Sequence, residues 1–265
     1  MNGIRHFLLA LQFFTRVPVT GVLAKWVGFS PAMLRASTGH FPGVGWLVGG
    51  IGASVFCIAQ TGLSGPMGAL AAAALSTITT VLITGAFHED GLADVADGLG
   101  GSAERDRALE IMKDSRIGAF GAITLVLALG LKLALLALLA RQGGAAIIVA
   151  LISAHVLSRL APLFLMRWLP YVGGEHAASK SKLLADAISS GALWVGIAWS
   201  LPALAWLVMM YGVVRGLAAV ALCALAALSV AGLLWRRLRG LTGDGLGATQ
   251  QVCELAIYLA LAWRS

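Results

Sequence analysis

The residues best suited to chemistry lie between His88 and Gly118, where the carboxylates of this chain are concentrated. The chain has 12 acidic residues in all, and most of them fall in this stretch. They are Glu89, Asp90, Asp94, Asp97, Glu104, Asp106, Glu110 and Asp114. Like charges this close repel one another and favour protonation unless a cation lies between them. The cluster therefore indicates a site that binds a cation.

The spacing of the first three aspartates places them on one face of a helix. Asp94 lies about 40° and Asp97 about −20° around the helix from Asp90. A second stripe, with residues four apart, follows on a helix for which Ser102 is a suitable N-cap. Its members are Asp106, Glu110 and Asp114. We expect the glycine-rich residues 98–101 to form a hinge that folds the two stripes against each other.

Carboxylate oxygens at this density favour a hard divalent cation, and we expect Mg²⁺, with Mn²⁺ as the alternative. The predicted metal ligands are Asp90, Asp94, Asp97, Glu110 and Asp114. Asp94 and Asp97 are also predicted to be catalytic, together with His88, which stands at the membrane edge as a base or hydrogen-bond partner. Glu89 points ~100° away from the first stripe and is not an expected ligand.

Basic residues are interleaved with the second stripe, and guanidinium and ammonium groups suit phosphate oxygens. The predicted phosphate-binding residues of this segment are Arg105, Arg107, Lys113 and Arg116. Arg159, inside an apolar run, is expected to face the interior of the protein, where it binds a phosphate or forms an ion pair. Asp244 belongs to a glycine-rich turn before a helix, a place that can cradle a phosphate. A metal and cations around a phosphate are typical of phosphoryl transfer.

The elements that carry these residues are predicted to be membrane helices. The chain is 59% hydrophobic and 12% charged, whereas soluble domains have about 25% charged residues. Several apolar runs reach the ~20 residues that a spanning helix needs, and they do not alternate as barrel strands do. We predict an all-α, multi-pass transmembrane helical bundle that forms one integral-membrane catalytic domain over residues 1–265.

About seven spans are predicted, at residues 41–60, 67–87, 119–140, 145–165, 192–211, 217–235 and 248–263. Residues 3–16 are too short to span and are expected to form a helix in the membrane interface. Gly45 and Gly49 indicate close helix packing. Lys132 is expected to extend to the far interface. The three cysteines are isolated in apolar runs, which indicates core positions rather than a metal site or disulfides.

The chain has a net charge of +7, and its basic residues lie mainly at the ends of apolar runs. This position indicates that they contact membrane lipid headgroups rather than nucleic acid. Short loops rich in Lys and Arg mark the cytoplasmic side. Such loops follow the second, fourth and sixth spans. The loop after the fourth span contains Lys180 and Lys182. We therefore expect a cytoplasmic N-terminus, with the acid-rich hairpin and the turn at residues 242–247 on the cytoplasmic face.

The sequence resembles the cobalamin synthase family, the adenosylcobinamide-GDP ribazoletransferases, over most of its length. The most specific matching block is residues 87–98, Phe-His-Glu-Asp-Gly-Leu-Ala-Asp-Val-Ala-Asp-Gly. Other matching segments are residues 13–18, Phe41-Pro42 with Gly45, residues 105–107, residues 110–118, Ser158-Arg159, Thr242-Gly243-Asp244, Leu246-Gly247-Ala248 and Glu254.

This resemblance implies a Mg²⁺-dependent, multi-pass enzyme of the inner membrane. Its implied reaction joins adenosylcobinamide-GDP to α-ribazole or α-ribazole 5′-phosphate and releases GMP, the last assembly step of vitamin B12. A homodimer and complexes with other proteins of the cobalamin pathway are both compatible with it.

The residues alone leave other functions open. A divalent-cation transporter also carries acids in its membrane domain, although this cluster lies at an edge beside basic residues rather than at the midplane. A prenyl transferase uses Asp-rich Mg²⁺ sites on a diphosphate. Another membrane phosphotransferase is the third alternative, since CDP-alcohol phosphotransferases carry a related acidic motif; Gly100 and Gly101 stand where their Ala-Arg is expected.

Overall fold

The structure is a computed structural model that describes residues 2–65, 67–173 and 188–263. Across these ranges the regular structure is helical, and the only pairing of extended segments is an isolated bridge between Tyr171 and Leu241. The predicted all-α fold is confirmed. The loop that contains Lys180 and Lys182 lies outside the described residues.

Three short helices precede the long apolar ones. They are α1 (Asn2–Phe14), α2 (Gly21–Val27) and α3 (Pro31–Ser37). The first is the predicted short helix: it buries Leu9, Leu11 and Phe14 and leaves Ile4 exposed. A 3₁₀ turn, Thr38–His40, then leads directly into α4 (Phe41–Gly62).

The predicted close packing at Gly45 and Gly49 is confirmed. Both glycines of α4 face α9 (Gly144–Ser158), where a Cβ on Gly45 would lie 2.4 Å from the carbonyl oxygen of His155. A Cβ on Gly49 would lie 2.9 Å from the Cα of Ile152. The two backbones therefore approach to a distance that only glycine allows, as is common between membrane helices.

The acid-rich helix is set at a sharp angle to the span before it. Helix α5 (Gly68–Thr84) ends at Gly85, and α6 (Phe87–Gly101) leaves at 88° to it. Gly85 and Ala86 both have left-handed backbone angles, φ 67° and φ 59°. For alanine this conformation costs roughly 1–2 kcal/mol. The bend therefore turns α6 out of the path of α5 instead of extending the span to residue 87.

The predicted hinge at residues 98–101 is wrong, because these residues form the last turn of α6. A Cβ on Gly98 would lie 2.4 Å from the Met112 side chain, and one on Gly100 would lie 2.6 Å from the Phe120 ring. These glycines therefore serve close packing. The break comes after them, at Ser102, before α7 (Arg105–Ile111) and α8 (Ala119–Ala140).

The predicted fourth span is confirmed as one apolar stretch, Gly144–Trp168, that is long enough to cross a membrane, but it consists of two helices. Helix α9 ends at Ser158, and α10 (Ala161–Trp168) begins with Pro162 in its first turn, where the missing N–H of proline is tolerated. Arg159 lies at this break and takes its place inside the bundle. The remaining helices are α11 (Ser190–Tyr211), α12 (Val213–Leu238) and α13 (Gly243–Ala262).

Within the described ranges, five helices are long and apolar enough to cross a membrane, or six if the bent pair α5–α6 counts as one span. The chain is therefore a multi-pass membrane protein. The predicted seventh span coincides with α13, which is a helix but is not among those that reach this hydropathy. Its polar residues, Gln250, Gln251 and Glu254, are buried in the bundle.

Candidate active site

The first carboxylate stripe lies on α6, and its last member fixes the position of the next span. The Asp97 carboxylate accepts hydrogen bonds from the backbone N–H groups of Gly118, at 2.7 Å, and Gly121, at 2.8 Å. These are free donors at the start of α8, where a negative charge is favourable. Asp97 thus caps α8, and its predicted roles as metal ligand and catalytic group stay predictions.

A fourth aspartate joins the stripe from the far end of the sequence. Thr242 caps α13 by accepting a hydrogen bond from the Gly245 N–H at 3.0 Å, which places Asp244 in the first turn. At Gly91, α6 has no side chain, and a Cβ there would lie 2.8 Å from the carbonyl oxygen of Asp244. This close approach brings Asp244 beside Asp90 and Asp94.

The electrostatics of the group show how close these carboxylates are. Burial and the neighbouring charges of Asp244, Asp90 and Asp97 raise the pKa of Asp94 to about 7. Burial and Asp90 likewise raise the pKa of Asp244 to about 6. Acids whose charged form is disfavoured in this way are ready to accept a cation. We name Asp90, Asp94 and Asp244 the acidic triad.

The predicted second stripe is not folded against the first. Asp106 is 86% exposed and pairs with Arg105, and Glu110 pairs with Arg107, each at 2.9 Å. Asp114 lies beyond the end of α7, where the Arg116 guanidinium binds it and lowers its pKa to about 2. Each of these carboxylates pairs with an arginine close to it in sequence. This arrangement avoids the electrostatic repulsion that would arise if they approached the three carboxylates of the first stripe.

Three open clefts surround the segment between α7 and α8. One of about 820 Å³ is lined by Asp90, Asp94, Lys113 and Asp114. A second, of about 630 Å³, is lined by Lys113, Tyr171, Thr242 and Asp244. The third, of about 700 Å³, is lined by Arg107, Glu110, Asp114 and Arg116. Lys113 and Asp114 each border two of them, so the three clefts adjoin.

The predicted phosphate-binding residues divide into two groups. Arg107, Lys113 and Arg116 line the clefts. Arg105 donates instead from Nε to the carbonyl oxygen of Leu238 at 2.7 Å, which ties α7 to α12. Arg159 is buried within the bundle, where Nη1 donates to the carbonyl oxygen of His155 at 2.9 Å.

His88 does not line the clefts of the acidic triad. It is two residues before Asp90, or about 200° around the helix, and faces a cavity on the other side of α6. The imidazole is 5% exposed and lies 6.4 Å from the ring of Phe14, nearly parallel to it. The predicted catalytic role of His88 therefore has no support from its position relative to the triad.

A buried polar network below the site was not foreseen. Lys132 was expected to reach the interface, but its ammonium lies 2.7 Å from the Glu254 carboxylate, and both side chains are almost fully buried. Gln250 donates to Glu254 at 2.7 Å and to Ser158 at 3.0 Å. Gln251 donates to Glu89 at 3.0 Å. The network joins α6, α8, α9 and α13.

One signal could have predicted this network. Lys132, Glu254 and the two glutamines all interrupt apolar runs, and charged residues in a membrane are almost always paired with each other. The spacing of Gln250 and Glu254 puts both on one face of α13. Their partners come from residues 89, 132 and 158, so the pairing depends on how the helices assemble.

The donor set suits Mg²⁺, although it is not arranged as a finished coordination sphere. The triad offers only oxygen ligands, and basic side chains for a substrate phosphate stand next to it. Within the described residues, no three His, Cys, Asp or Glu side chains are grouped so that they could hold a metal ion. The predicted five-ligand set is therefore not assembled: Asp97 caps α8, and Glu110 and Asp114 are paired with arginines.

The fold and this site define a class: a multi-pass membrane protein with a carboxylate cluster at one edge of its helical bundle, beside a basic rim. The chain belongs to the cobalamin-5-phosphate synthase family, whose model matches residues 6–262. No solved structure matches the chain.

Three curated relatives carry the same name, adenosylcobinamide-GDP ribazoletransferase. The protein of Albidiferax ferrireducens is 57% identical, with 98% of each chain covered. That of Polaromonas naphthalenivorans is 54% identical, with 99% of each chain covered. The Ralstonia nicotianae protein is 41% identical over all of this chain and 97% of its own length. All three names are those of a ribazoletransferase, and none is that of a cation transporter or a prenyl transferase.

Proposed function

We infer that this chain is the transferase that joins adenosylcobinamide-GDP to a ribazole acceptor, the final step in assembly of the cobalamin nucleotide loop. The observation that carries this inference is end-to-end similarity to curated relatives of that name, at up to 57% identity. The acidic triad and its basic rim support the inference, since a pyrophosphate bond is broken in this reaction and both groups suit phosphate chemistry.

We propose that the donor pyrophosphate binds across the clefts that adjoin at Lys113. Lys113 lies between the cleft of Asp94 and the cleft of Asp244, so its ammonium is placed to bind an oxygen between them. Arg107 and Arg116 line the neighbouring cleft and would bind the second phosphate. Arg105 is left out of this assignment because its Nε is bonded to the Leu238 backbone.

The acceptor hydroxyl attacks the phosphorus on the cobinamide side. A bond forms between that phosphorus and the hydroxyl oxygen, the bond to the bridging oxygen breaks, GMP leaves with the bridging oxygen, and the hydroxyl proton is released to solvent in the open cleft. Asp90, Asp94 and Asp244 would hold Mg²⁺, which supplies charge neutralisation at the phosphate oxygens when bound. The basic residues orient the pyrophosphate and stabilise the charge on its oxygens.

We propose that the site faces the cytoplasm across the inner membrane. The support is the distribution of basic residues, which are frequent in the loops on the side of α7 and rare in those that join α4 to α5 and α8 to α9. GDP-bearing substrates are made in the cytoplasm, so this orientation also supplies the donor directly.

The test is release of GMP by membranes that contain the protein, given adenosylcobinamide-GDP and α-ribazole, with and without Mg²⁺. We expect release that needs both the acceptor and the metal. Asp94→Asn should lower the rate by about 100-fold or more, because a ligand charge is lost at the metal. Asp106→Asn is the matched control, since Asp106 is exposed, and its rate should equal that of the wild type.

Two outcomes would contradict the proposal. Membranes that release no GMP but move Mg²⁺ across the bilayer would exclude the transferase function. An Asp94→Asn variant as active as Asp106→Asn would leave the function in place and exclude the acidic triad as its site.

A further inference from the structure

An apolar groove lies between α10 and α12, on the opposite side of α10 from the bundle interior. It encloses about 300 Å³ and is open on its outer side. Leu160, Phe164 and Trp168 line one wall, and Val220, Ala224 and Leu228 line the other. Both walls belong to stretches that are long and apolar enough to cross a membrane, so the groove faces lipid. We call it the lateral groove.

The length of the lateral groove corresponds to one leaflet of a bilayer. Its lining extends from Leu157 to Trp168, which is about 17 Å along a helix. The hydrocarbon core of a bilayer is ~30 Å thick, so one leaflet contributes about 15 Å. A single acyl chain in the groove would therefore extend from the middle of the membrane to its surface.

The two helices that border the groove end at the same level. An isolated bridge joins Tyr171, just after α10, to Leu241, just after α12. Trp168 and Trp235, near these two ends, are 57% and 45% exposed. Exposed tryptophans at the ends of apolar helices are typical of the boundary between membrane and water. The groove therefore reaches the surface of the bilayer at this end.

Two exposed arginines stand at the same end of the groove. Arg167 precedes Trp168 in α10, and the Arg239 guanidinium lies 5.7 Å from the centre of the Trp235 ring. Trp235 is about 20° around α12 from Ala224, so it is on the groove side of that helix. Neither arginine pairs with a carboxylate within the part of the chain that the structure describes. A lipid phosphate would supply the negative charge.

We propose that the lateral groove binds an anionic phospholipid. One acyl chain lies along Phe164 and Ala224, and the headgroup phosphate is bound by Arg167 and Arg239. A zwitterionic lipid has the same acyl chains, but its own positive group would lie beside the two arginines, so it binds less tightly. This site goes beyond the transfer reaction and does not depend on it.

A second copy of the chain suits the groove less well. A twofold axis would bring the same surface of both copies together. Arg167 and Arg239 would then face the same arginines of the other copy, and like charges placed together across an interface are unfavourable.

The experiment measures lipid binding to the purified full chain by native mass spectrometry, in detergent with equal amounts of dioleoylphosphatidylglycerol and dioleoylphosphatidylcholine. We expect the wild type to bind one phosphatidylglycerol more tightly than any phosphatidylcholine. Ala224→Phe fills the groove, and Arg167→Gln/Arg239→Gln removes the charges at its end. Each change should weaken the binding of phosphatidylglycerol by about tenfold or more.

Each groove variant has a matched control. Ala134→Phe enlarges an exposed alanine of α8, outside the groove. Arg141→Gln/Arg215→Gln removes two charges at the opposite ends of the spans. Both controls should bind phosphatidylglycerol as the wild type does.

The wild-type protein gives a second test that does not depend on folding of a variant. Its unfolding temperature in detergent should rise with added phosphatidylglycerol and rise less with phosphatidylcholine. Equal effects of the two lipids, or wild-type binding by Ala224→Phe, would overturn the proposal. A dimer that Ala224→Phe separates would also overturn it, as would an equal loss of lipid in the control variants.

Discussion

At the scale of single residues, the buried pair of Lys132 and Glu254 is the most consequential interaction within the membrane part of the protein. The Lys132 ammonium and the Glu254 carboxylate lie 2.7 Å apart, and both side chains are almost fully buried. Burial of either charge alone in an apolar bundle would be strongly unfavourable, so each one needs the other. Glu254 also accepts a hydrogen bond from Gln250, which in turn reaches Ser158. The pair thus ties α8 to α13 and, through Gln250, to α9.

Removal of one partner should destabilise the protein strongly. Lys132→Met leaves the Glu254 carboxylate buried without its cation, and we expect a loss of about 3–5 kcal/mol in the free energy of unfolding. The double variant Lys132→Met/Glu254→Gln should recover part of this loss. Thermal unfolding in detergent, followed by circular dichroism, checks both.

The matched control for this pair is Lys25→Met, because Lys25 is exposed in α2. Its unfolding curve should equal that of the wild type. A Lys132→Met variant with the same curve as Lys25→Met would show that the buried pair contributes nothing to stability.

The aspartates predict how stability depends on pH when no divalent cation is present. The pKa of Asp94 is raised to about 7 from an ordinary value of 3.8, so between these values the folded protein binds more protons than the unfolded chain. The contribution of Asp94 to stability then falls as pH rises through this range, because its carboxyl group binds a proton less tightly in the unfolded state.

The five histidines of the chain also titrate between pH 5 and pH 8, so the prediction is made for the difference between two proteins that carry the same histidines. In chelator, the change in unfolding temperature from pH 5 to pH 8 should be more negative in the wild type than in Asp94→Asn. Mg²⁺ should reduce this difference by neutralising the carboxylates at pH 8. Differential scanning fluorimetry at both pH values measures it, and equal changes in the two proteins would refute this.

Sequence reasoning at the residue scale identified Asp90, Asp94 and Asp97 as one stripe, because helical spacing is a local property. It did not find the partners of Asp97, which are backbone N–H groups 21 and 24 residues further on. The sequence predicts a phosphate-binding role for Asp244 and does not predict that it lies beside the other aspartates. That proximity depends on the contact at Gly91, which joins parts of the chain that are distant in sequence.

At the scale of elements, the contact between α6 and α13 assembles the candidate site. Gly91 lets the two backbones approach so that Asp244 reaches the acid stripe. Two breaks in the helices serve the same arrangement: the bend at Gly85 and Ala86 turns α6, and the end of α9 at Ser158 leaves Arg159 inside the bundle.

Gly91→Val should separate these helices and lower the rate of GMP release. The added side chain would meet the Asp244 backbone, where nothing can move without shifting α13. We expect a loss of at least about tenfold, by displacement of a predicted metal ligand. Gly130→Val is the matched control, because a Cβ at Gly130 meets no atom within 4 Å and both sites are in helices.

Equal rates in these two variants would contradict the claim that the approach at Gly91 builds the site. Elution of both variants at the wild-type volume in size-exclusion chromatography checks that each has folded.

The long helices could be predicted from the sequence, but the breaks could not. Helix α8 spans Ala119–Ala140 as predicted, because an uninterrupted apolar run decides it. The bend at Ala86 has no comparable local signal, since alanine rarely adopts a left-handed conformation and favours helix. The glycines of residues 98–101 have no decisive local signal either, because glycine allows both a flexible hinge and close packing, and here the neighbouring Met112 and Phe120 side chains require close packing.

At the scale of the whole molecule, the chain is a membrane bundle with its polar chemistry at one edge. Five or six of the described helices can cross the membrane, and α13 inserts buried polar side chains among them. The short helices α1 and α2 expose large apolar side chains, among them Ile4 and Val22. The predicted arrangement of basic loops puts the acidic triad on the cytoplasmic side.

Labelling of introduced cysteines tests this orientation. With Cys57, Cys223 and Cys253 replaced by alanine, Ala103→Cys should react with a membrane-impermeant maleimide only after the inner membrane is opened. Thr61→Cys and Arg141→Cys, in exposed positions on the other side, should react from the periplasm. The reverse pattern would place the site on the periplasmic face and contradict the proposed supply of GDP-bearing donor.

The most direct measurement of the central claim is the Mg²⁺ dependence of GMP release in Asp244→Asn, compared with wild type and Asp106→Asn. Asp244 is assigned to the metal together with Asp90 and Asp94, so Asp244→Asn should need a Mg²⁺ concentration about tenfold or more higher for half of its maximal rate. Asp106→Asn should follow the wild-type curve. If all three proteins respond to Mg²⁺ alike, Asp244 does not hold the metal, and the contact between α6 and α13 does not build the active site.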